Sequence, residues 1–501
     1  MKPLSKSKFA IIICCCLFFA IACDQQKQNI PTTSNTSSAV SGSTTTLVRA
    51  GSFAQLTFDP HQVNDLQNTA LLYDLYEGLV SYDIHGNIMP AVAQSWESKD
   101  HKNWIFHLRQ EAKWSDGSEV TAEDFVHSWQ NLLTNKTALS PYLGFIAIQN
   151  AREILQNRLP ATALGIKAID PHTLEIQLDK ANAHLPMMLA HIALVPVKNG
   201  KYNGGYHLTK IDEQKILLMA NPYYWNKIHV SFQQVEYWRT NLSSISIDWQ
   251  FLPPKSNTKI QQVPKLCSYY YELNPHHPTL QNPLIRQALI SLISSQSAIN
   301  NVAINGKASV NLLPQSMRFN SYLNLAPAEQ LLMQAKITNQ QPLHITLTYD
   351  DTTINQQIAQ NLSRQFSQSD LIRVSLQAKT QQEWATQHTQ QEFQLIRSGW
   401  CADYNDPSAF LNNFHSKSPD NLLHYHNPQV DQWLEQAMIE INPELRQQLY
   451  QKIIDTLVQE AIVLPLFQYY LPVYIAPNLA GYDLNNPTQI FYSKDLYRLV
   501  K

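Results

Sequence analysis

One stretch of this chain concentrates side chains able to hold a charged ligand: Arg397-Ser398-Gly399-Trp400-Cys401-Ala402-Asp403-Tyr404-Asn405-Asp406-Pro407. A carboxylate such as Asp403 can hold an ammonium through a charge-assisted hydrogen bond. Trp400 can wall a pocket, and Arg397 supplies the opposite charge. The stretch has neither a helical nor a strand period. It reads as a loop between a strand at Phe393–Ile396 and a helix at Ser408–Phe414. Loops at strand ends are where α/β proteins place binding sites. On residue types alone, a structural loop with an aromatic pair fits equally well.

Catalytic patterns are missing. The sequence holds no GxSxG, HExxH, GxGxxG or Walker loop. An enzyme would need a nucleophile beside Asp403, and only Ser398 and Tyr404 lie close in sequence. The 17 histidines are scattered. His276, His277, His424 and His426 lack ligand spacing, and no CxxC occurs, so neither metal nor cofactor is expected. No basic stripe marks a nucleic-acid partner. At 501 residues, 44% hydrophobic, the chain is long enough for several domains.

The N-terminus reads as an export leader over residues 1–22. Lys2, Lys6 and Lys8 precede an apolar run from Phe9 to Ala22, short for a membrane span. Ala20-Ile21-Ala22-Cys23 resembles a lipoprotein cleavage box, which makes Cys23 the candidate lipid carrier; plain cleavage without lipid is the alternative. Residues 23–46, rich in Gln, Ser, Thr and Asn, read as a flexible tether. Loss of the three leader lysines takes 37 basic residues to 34 against 39 acids, a net charge of −5. Cys14, Cys15 and Cys16 leave with the leader. Cys267 and Cys401 then remain as one pair in an oxidising compartment, and a disulfide is expected. Two buried free thiols also satisfy the count.

The elements that must position the site follow from periodicity. Ala70–Leu79 has helical spacing. Thr121 caps a helix with Glu123 and Asp124 in its first turn and Phe125, Trp129, Leu132 and Leu133 on its buried face. Leu266–Asn274 is a β-rich run. Pro283–Ile293 is an amphipathic helix with Arg286 on its polar face. Leu343–Tyr349, Ile354–Phe366 and Ile372–Gln377 read as strand, helix, strand, and imply a parallel βαβ unit. A helix starts at Trp384, a long one spans Pro443–Ala461, and a strand begins at Val463.

Arg-x-Gly-Trp-Cys-Ala-Asp-Tyr-Asn-x-Pro resembles the signature of periplasmic oligopeptide-binding proteins, the receptors of ATP-driven peptide importers. Trp104-x-Phe106-x-Leu108-Arg109, Lys113-Trp114-Ser115-Asp116-Gly117 and Thr121-Ala122-Glu123-Asp124-Phe125 are similar to the wider solute-receptor fingerprint. The likeness covers nearly all of 47–501. It implies a two-lobed α/β periplasmic-binding fold with an additional α/β domain inserted in the first lobe. The expected division is lobe I at 47–76, 197–266 and 472–501, the additional domain at 77–196, and lobe II at 267–471. It also implies a monomeric receptor, anchored in the periplasm of a Gram-negative cell, that delivers oligopeptides to the membrane permease subunits of an ABC transporter.

Carried over residue by residue, Asp403 is the anchor for the peptide amine. Gly399 and Cys401 lend backbone groups, Arg397 is a cleft cation, and Trp400 and Tyr270 line the pocket. Tyr142, in Ser140-Pro141-Tyr142, touches the ligand, though a core tyrosine fits as well. The edges of the strand at Cys267–Glu272 and of the loop at Arg397–Asp403 can pair with a peptide backbone as in strand addition, so Glu272 joins the candidate set. The chain also departs from the family. Charged residues that reach peptide carboxylates fall near Ala303, Asn355 and His388 and are not kept, although Lys307 is close to the first. A receptor for cell-wall (murein) or signalling peptides is therefore the alternative.

Overall fold

The structure, a computed structural model, describes residues 45–51, 53, 55–63, 65–239, 245–251, 260–317, 319 and 325–499. The leader, Cys23 and most of the tether lie outside the described residues.

The chain opens with β1 (Thr46–Ala50) and a helix at Leu66–Leu75, followed by the short hairpin β2 (Val80–Tyr82) and β3 (Ile88–Pro90). A separate four-stranded antiparallel sheet follows, built from β4 (Ala93–Glu97), β5 (Asn103–Leu108), β6 (Ile166–Asp170) and β7 (Thr173–Gln177) in the order β4-β5-β7-β6. Against it packs the helix Ala122–Asn135, whose capping box joins Thr121 and Asp124. Phe125, Trp129, Leu132 and Leu133 of that helix are fully buried. They stand at i, i+4, i+7 and i+8, the spacing that puts apolar residues on one helical face.

Among the described residues the main sheet has eleven strands. Its first half holds β1, β8 (Tyr206–Ile211), β9 (Lys215–Ala220), β10 (Gln234–Trp238) and β11 (Trp249–Phe251). Its second half holds β13 (Gly306–Ala308), β14 (Leu343–Asp350), β15 (Ile372–Lys379) and β16 (Leu395–Cys401). Two 13-residue strands, β12 (Gln261–Leu273) and β17 (Val463–Ile475), run side by side through both halves. Their register shifts between Pro264 and Ser268 and again between Tyr269 and Tyr270. Pro264, Pro465 and Pro472 lie in this ribbon. Proline lacks the ladder donor, and irregular pairing lets a sheet bend locally.

In the second half the sheet is covered on both faces. Tyr269, Tyr271, Leu273 and Leu395 belong to one core, and Leu266, Tyr270 and Ile396 to another. The helix Pro283–Ser291 closes part of the first. Arg286 does not lie on a polar face, as the periodicity implied. It is buried and donates to the carbonyls of Leu280, Gln281 and Glu460. The helix packs where two chain segments end with unpaired carbonyls, and a guanidinium satisfies several at once.

The apolar segment over 185–196 holds a short helix at Leu185–Met188 and a single 3-10 turn at Ile192–Leu194. Among the described residues no helix is long and apolar enough to cross a membrane, and no group of three or more His, Cys, Asp or Glu could hold a metal ion.

Candidate functional site

The site stretch is not a loop from Arg397 onward. Strand β16 continues to Cys401 and pairs antiparallel with β12, from Leu273 opposite Leu395 to Cys267 opposite Cys401. One face carries Leu395, Arg397 and Gly399 beside Tyr271 and Tyr269, and the other Ile396, Ser398 and Trp400 beside Glu272, Tyr270 and Ser268. Both faces are covered, so the alternation that would betray a strand is missing. A disulfide joins Cys267 to Cys401, whose Cα atoms are 4.1 Å apart.

Ala402 N donates to Leu266 O at 2.7 Å. That bond sets the alternation of the pair. Ser398 and Trp400 face β12 with their main-chain groups, while those of Gly399 and Cys401 turn the other way. On that outer side β14 is paired only at Leu395 and Ile396. On that side Arg397 O accepts from Trp384 Nε1 at 3.0 Å, so among the described residues β16 has an open edge only at Gly399 and Cys401. β12 has none there, because β16 and β17 flank it. The expectation of two available edges is thus corrected to one. A Cβ on Gly399 would stand 3.0 Å from Ser268 O, so a side chain would press on β12.

Beyond β16 the chain turns through Asp403 and Tyr404. Asp403 is exposed. Even so, it stands close enough to Tyr73, Tyr82, Tyr142 and Tyr404, all buried, for its charge to act on their hydroxyls. It forms no hydrogen bond or ion pair with the described residues, and crowding by protein pushes its carboxyl up to about 6. This is an open recess rather than an interior: solvent reaches the acid, and protein surrounds it. The turn is fixed from behind by Asp406, which Arg446 grips at 2.6 and 2.9 Å.

The other named residues divide. Trp400 donates from Nε1 to Ala409 O at 2.6 Å and packs half-buried against the second-lobe core. Arg397 lies beside Asp350, Nε to Oδ1 3.4 Å, with its guanidinium against the rings of Tyr269 and Trp384. Tyr142 is buried in a hydrophobic core. Its hydroxyl donates to Met188 O at 2.9 Å, and its ring stacks on His191. It borders the Asp403 recess while packing as a core tyrosine.

Two expectations fail. Tyr270 is buried in the second-lobe core with Trp384, Phe393 and Ile396 rather than lining an open wall. Glu272 is likewise buried. Its Oε2 lies 2.6 Å from His388 Nε2, and its Oε1 accepts from Ser398 Oγ at 3.0 Å. Both follow from β12 being central, where neither face reaches solvent.

Sequence reading missed Tyr73, Tyr82, Asp350 and Asp420. Burial raises the Asp420 carboxyl, and the charge of Asp403 adds to that against the opposing cation of Arg152. Asp350 carried a usable signal: it ends a parallel strand, the edge where open α/β sheets hold ligands. The tyrosines carried none, since each reads as core.

A model of the bacterial extracellular solute-binding proteins, family 5, matches residues 87–421. The chain belongs to this family. Membership makes it a non-catalytic solute receptor that works in the periplasm and serves an ABC-type importer. A putative binding protein of Haemophilus influenzae is 43% identical over 463 residues, covering 91% of this chain and 90% of that one. The periplasmic oligopeptide-binding protein of Escherichia coli K12 is 31% identical, covering 90% and 92%. Among solved structures, the unliganded open form of a periplasmic murein tripeptide-binding protein superposes with a TM-score of 0.84 at 28% identity, covering 91% of this chain and 98% of that one. The two-lobed fold with its additional domain is thereby that of the family.

Proposed function

We propose that this receptor captures short peptides by their free amine at Asp403, and that cell-wall (murein) peptides are its preferred class. The observation that carries the reading is the Asp403 carboxylate, which is solvent-accessible, forms no hydrogen bond or ion pair with the described residues and acts by its charge on four buried tyrosines. An ammonium would supply the missing charge and form a charge-assisted bond. The open edge of β16 at Gly399 and Cys401 would pair with the peptide main chain beside it, a contact indifferent to side chains.

The murein preference is supported by the 0.84 superposition on the murein tripeptide-binding protein. The uncharged or histidine residues at Ala303, Asn355 and His388 also favour a ligand whose carboxylates are placed differently. The match is to an unliganded open form, so this arrangement is read as the open state, with closure as a hinge through the β12/β17 ribbon. Tyr142 and Trp400 would then flank the bound chain. Lipid on Cys23, a tether over 23–46 and a monomeric receptor complete the proposal.

Calorimetric titration of the 47–501 protein tests it. A murein tripeptide is expected to bind more tightly than tri-alanine, and N-acetylation of either is expected to abolish binding. Equal binding of acetylated and free peptides would sink the amine anchor. Tighter binding of tri-alanine would return the receptor to general oligopeptides.

A further inference from the structure

Arg397 is the cation of the site stretch, yet it is not unopposed. Asp350 lies 3.4 Å from its Nε, and the side chains are 9% and 23% exposed. The pair occupies the carboxyl end of β14, where β16 parts from β14 and goes on beside β12. This is the edge at which open α/β sheets hold ligands. The phenol groups of Tyr269 and Tyr469 stand against the guanidinium, and Tyr269 Oη donates to Asn355 Oδ1 at 2.9 Å. Asn355 Nδ2 in turn donates to Asp350 O. The Asp350 Oδ1 and Arg397 Nε atoms that face each other are both buried and lack a hydrogen bond of good geometry, as does the nearby Tyr271 hydroxyl. The contact is electrostatic, held by position rather than by a fitted fork.

We infer that Asp350 is a specificity-determining residue: a built-in carboxylate that occupies Arg397 and denies that cation to the carboxylate of a ligand. A free guanidinium at a cleft edge attracts carboxylates strongly. With Asp350 beside it the pair is neutral, and a second carboxylate would meet the like charge of Asp350 before gaining the cation. The receptor then draws its affinity from the amine and the main chain. It accepts peptides whose terminal carboxylate is blocked, displaced or farther along. This inference rests on the peptide-receptor reading and specifies its carboxylate end.

The test is titration of tri-, tetra- and penta-alanine and a murein tripeptide, each as free acid and as C-terminal amide. The wild type should discriminate acid from amide by less than tenfold at every length. Asp350→Asn should favour the acid by at least tenfold for at least one length, and Asp350→Asn with Arg397→Gln should erase that gain. A wild-type preference for the acid of tenfold or more overturns the inference, and so does a folded Asp350→Asn variant with no gain. If Asp350→Asn does not fold, the wild-type acid-to-amide ratio alone decides. Failure of every peptide to bind in either form overturns the peptide reading and this inference with it, whereas binding with strong acid preference overturns only the latter.

Discussion

Asp406 and Arg446 meet as a two-pronged ion pair, Nη1 to Oδ2 at 2.6 Å and Nη2 to Oδ1 at 2.9 Å, three residues beyond the carboxylate that defines the site. Tyr450 Oη and Ser408 N also donate to Asp406, and Arg446 Nε donates to Ala437 O. The turn bearing Asp403 is thus tied to the helices Pro428–Ile439 and Pro443–Gln459.

Arg446→Met should therefore strand a buried carboxylate and cost about 3–5 kcal/mol of stability at pH 7. Burial alone would raise the Asp406 carboxyl, but Arg446 and the Ser408 bonds outweigh it and hold it below the ordinary range. In the wild type this contribution is fully present above about pH 4 and is lost as pH falls through the lowered value. Urea denaturation at pH 7 and pH 4 checks it: in the variant burial raises the unpaired Asp406 carboxyl, so it takes up a proton at the lower pH, its penalty is relieved and the gap to wild type narrows.

Asp403 predicts a pH-dependent affinity. The free carboxyl stands near 6, and an ammonium ligand needs it ionised. Affinity for a free-amine peptide should rise about tenfold between pH 5 and pH 7 and level off above. Asp403→Asn should lose both the affinity and the slope. Without ligand the sign reverses. The raised carboxyl costs stability as pH climbs from about 4 to 6, so Asp403→Asn should stabilise the empty receptor at pH 7, by no more than about 1 kcal/mol given its contact with solvent.

Cys267 and Cys401 close a loop of 134 residues. On the chain-entropy account that restriction is worth roughly 4–5 kcal/mol. Cys267→Ala with Cys401→Ala should lower the melting temperature by several degrees, with the β12/β16 register retained by its six other paired positions. Melting with and without reductant, the double variant serving as a reductant-insensitive control, measures the effect.

Arg286→Met should leave the Leu280, Gln281 and Glu460 carbonyls without their donor and cost about 2–4 kcal/mol. Arg286 lies on the helix behind the sheet, so peptide affinity per folded molecule should not change. A drop in affinity without a drop in stability would contradict the scaffold role assigned to it.

Local signals were legible because single segments carry them. Thr121 and Asp124 cap the helix they announce, and the strand–helix–strand pattern over 343–379 folds as a parallel unit. Asp403 also stood out, as an acid between aromatics in a signature stretch. What misled was the central ribbon. Arg397–Cys401 looked like loop and Glu272 like a cleft group, because a strand buried on both faces loses its alternation and a buried acid looks no different from an exposed one until its partners are known. Arg286 looked polar for the same reason.

The sequence by itself determined the family, the helix caps and the parallel unit, since these rest on local chemistry and short spacing. Tertiary structure alone decided that β16 has the open edge and β12 has not, that buried tyrosines from distant segments come within reach of the Asp403 charge, that Glu272 is spent on His388 and Ser398, and that Asp350 faces Arg397. Each of these depends on pairing between segments tens to hundreds of residues apart. Register and burial are fixed there by the packing of the whole sheet, which no local pattern encodes.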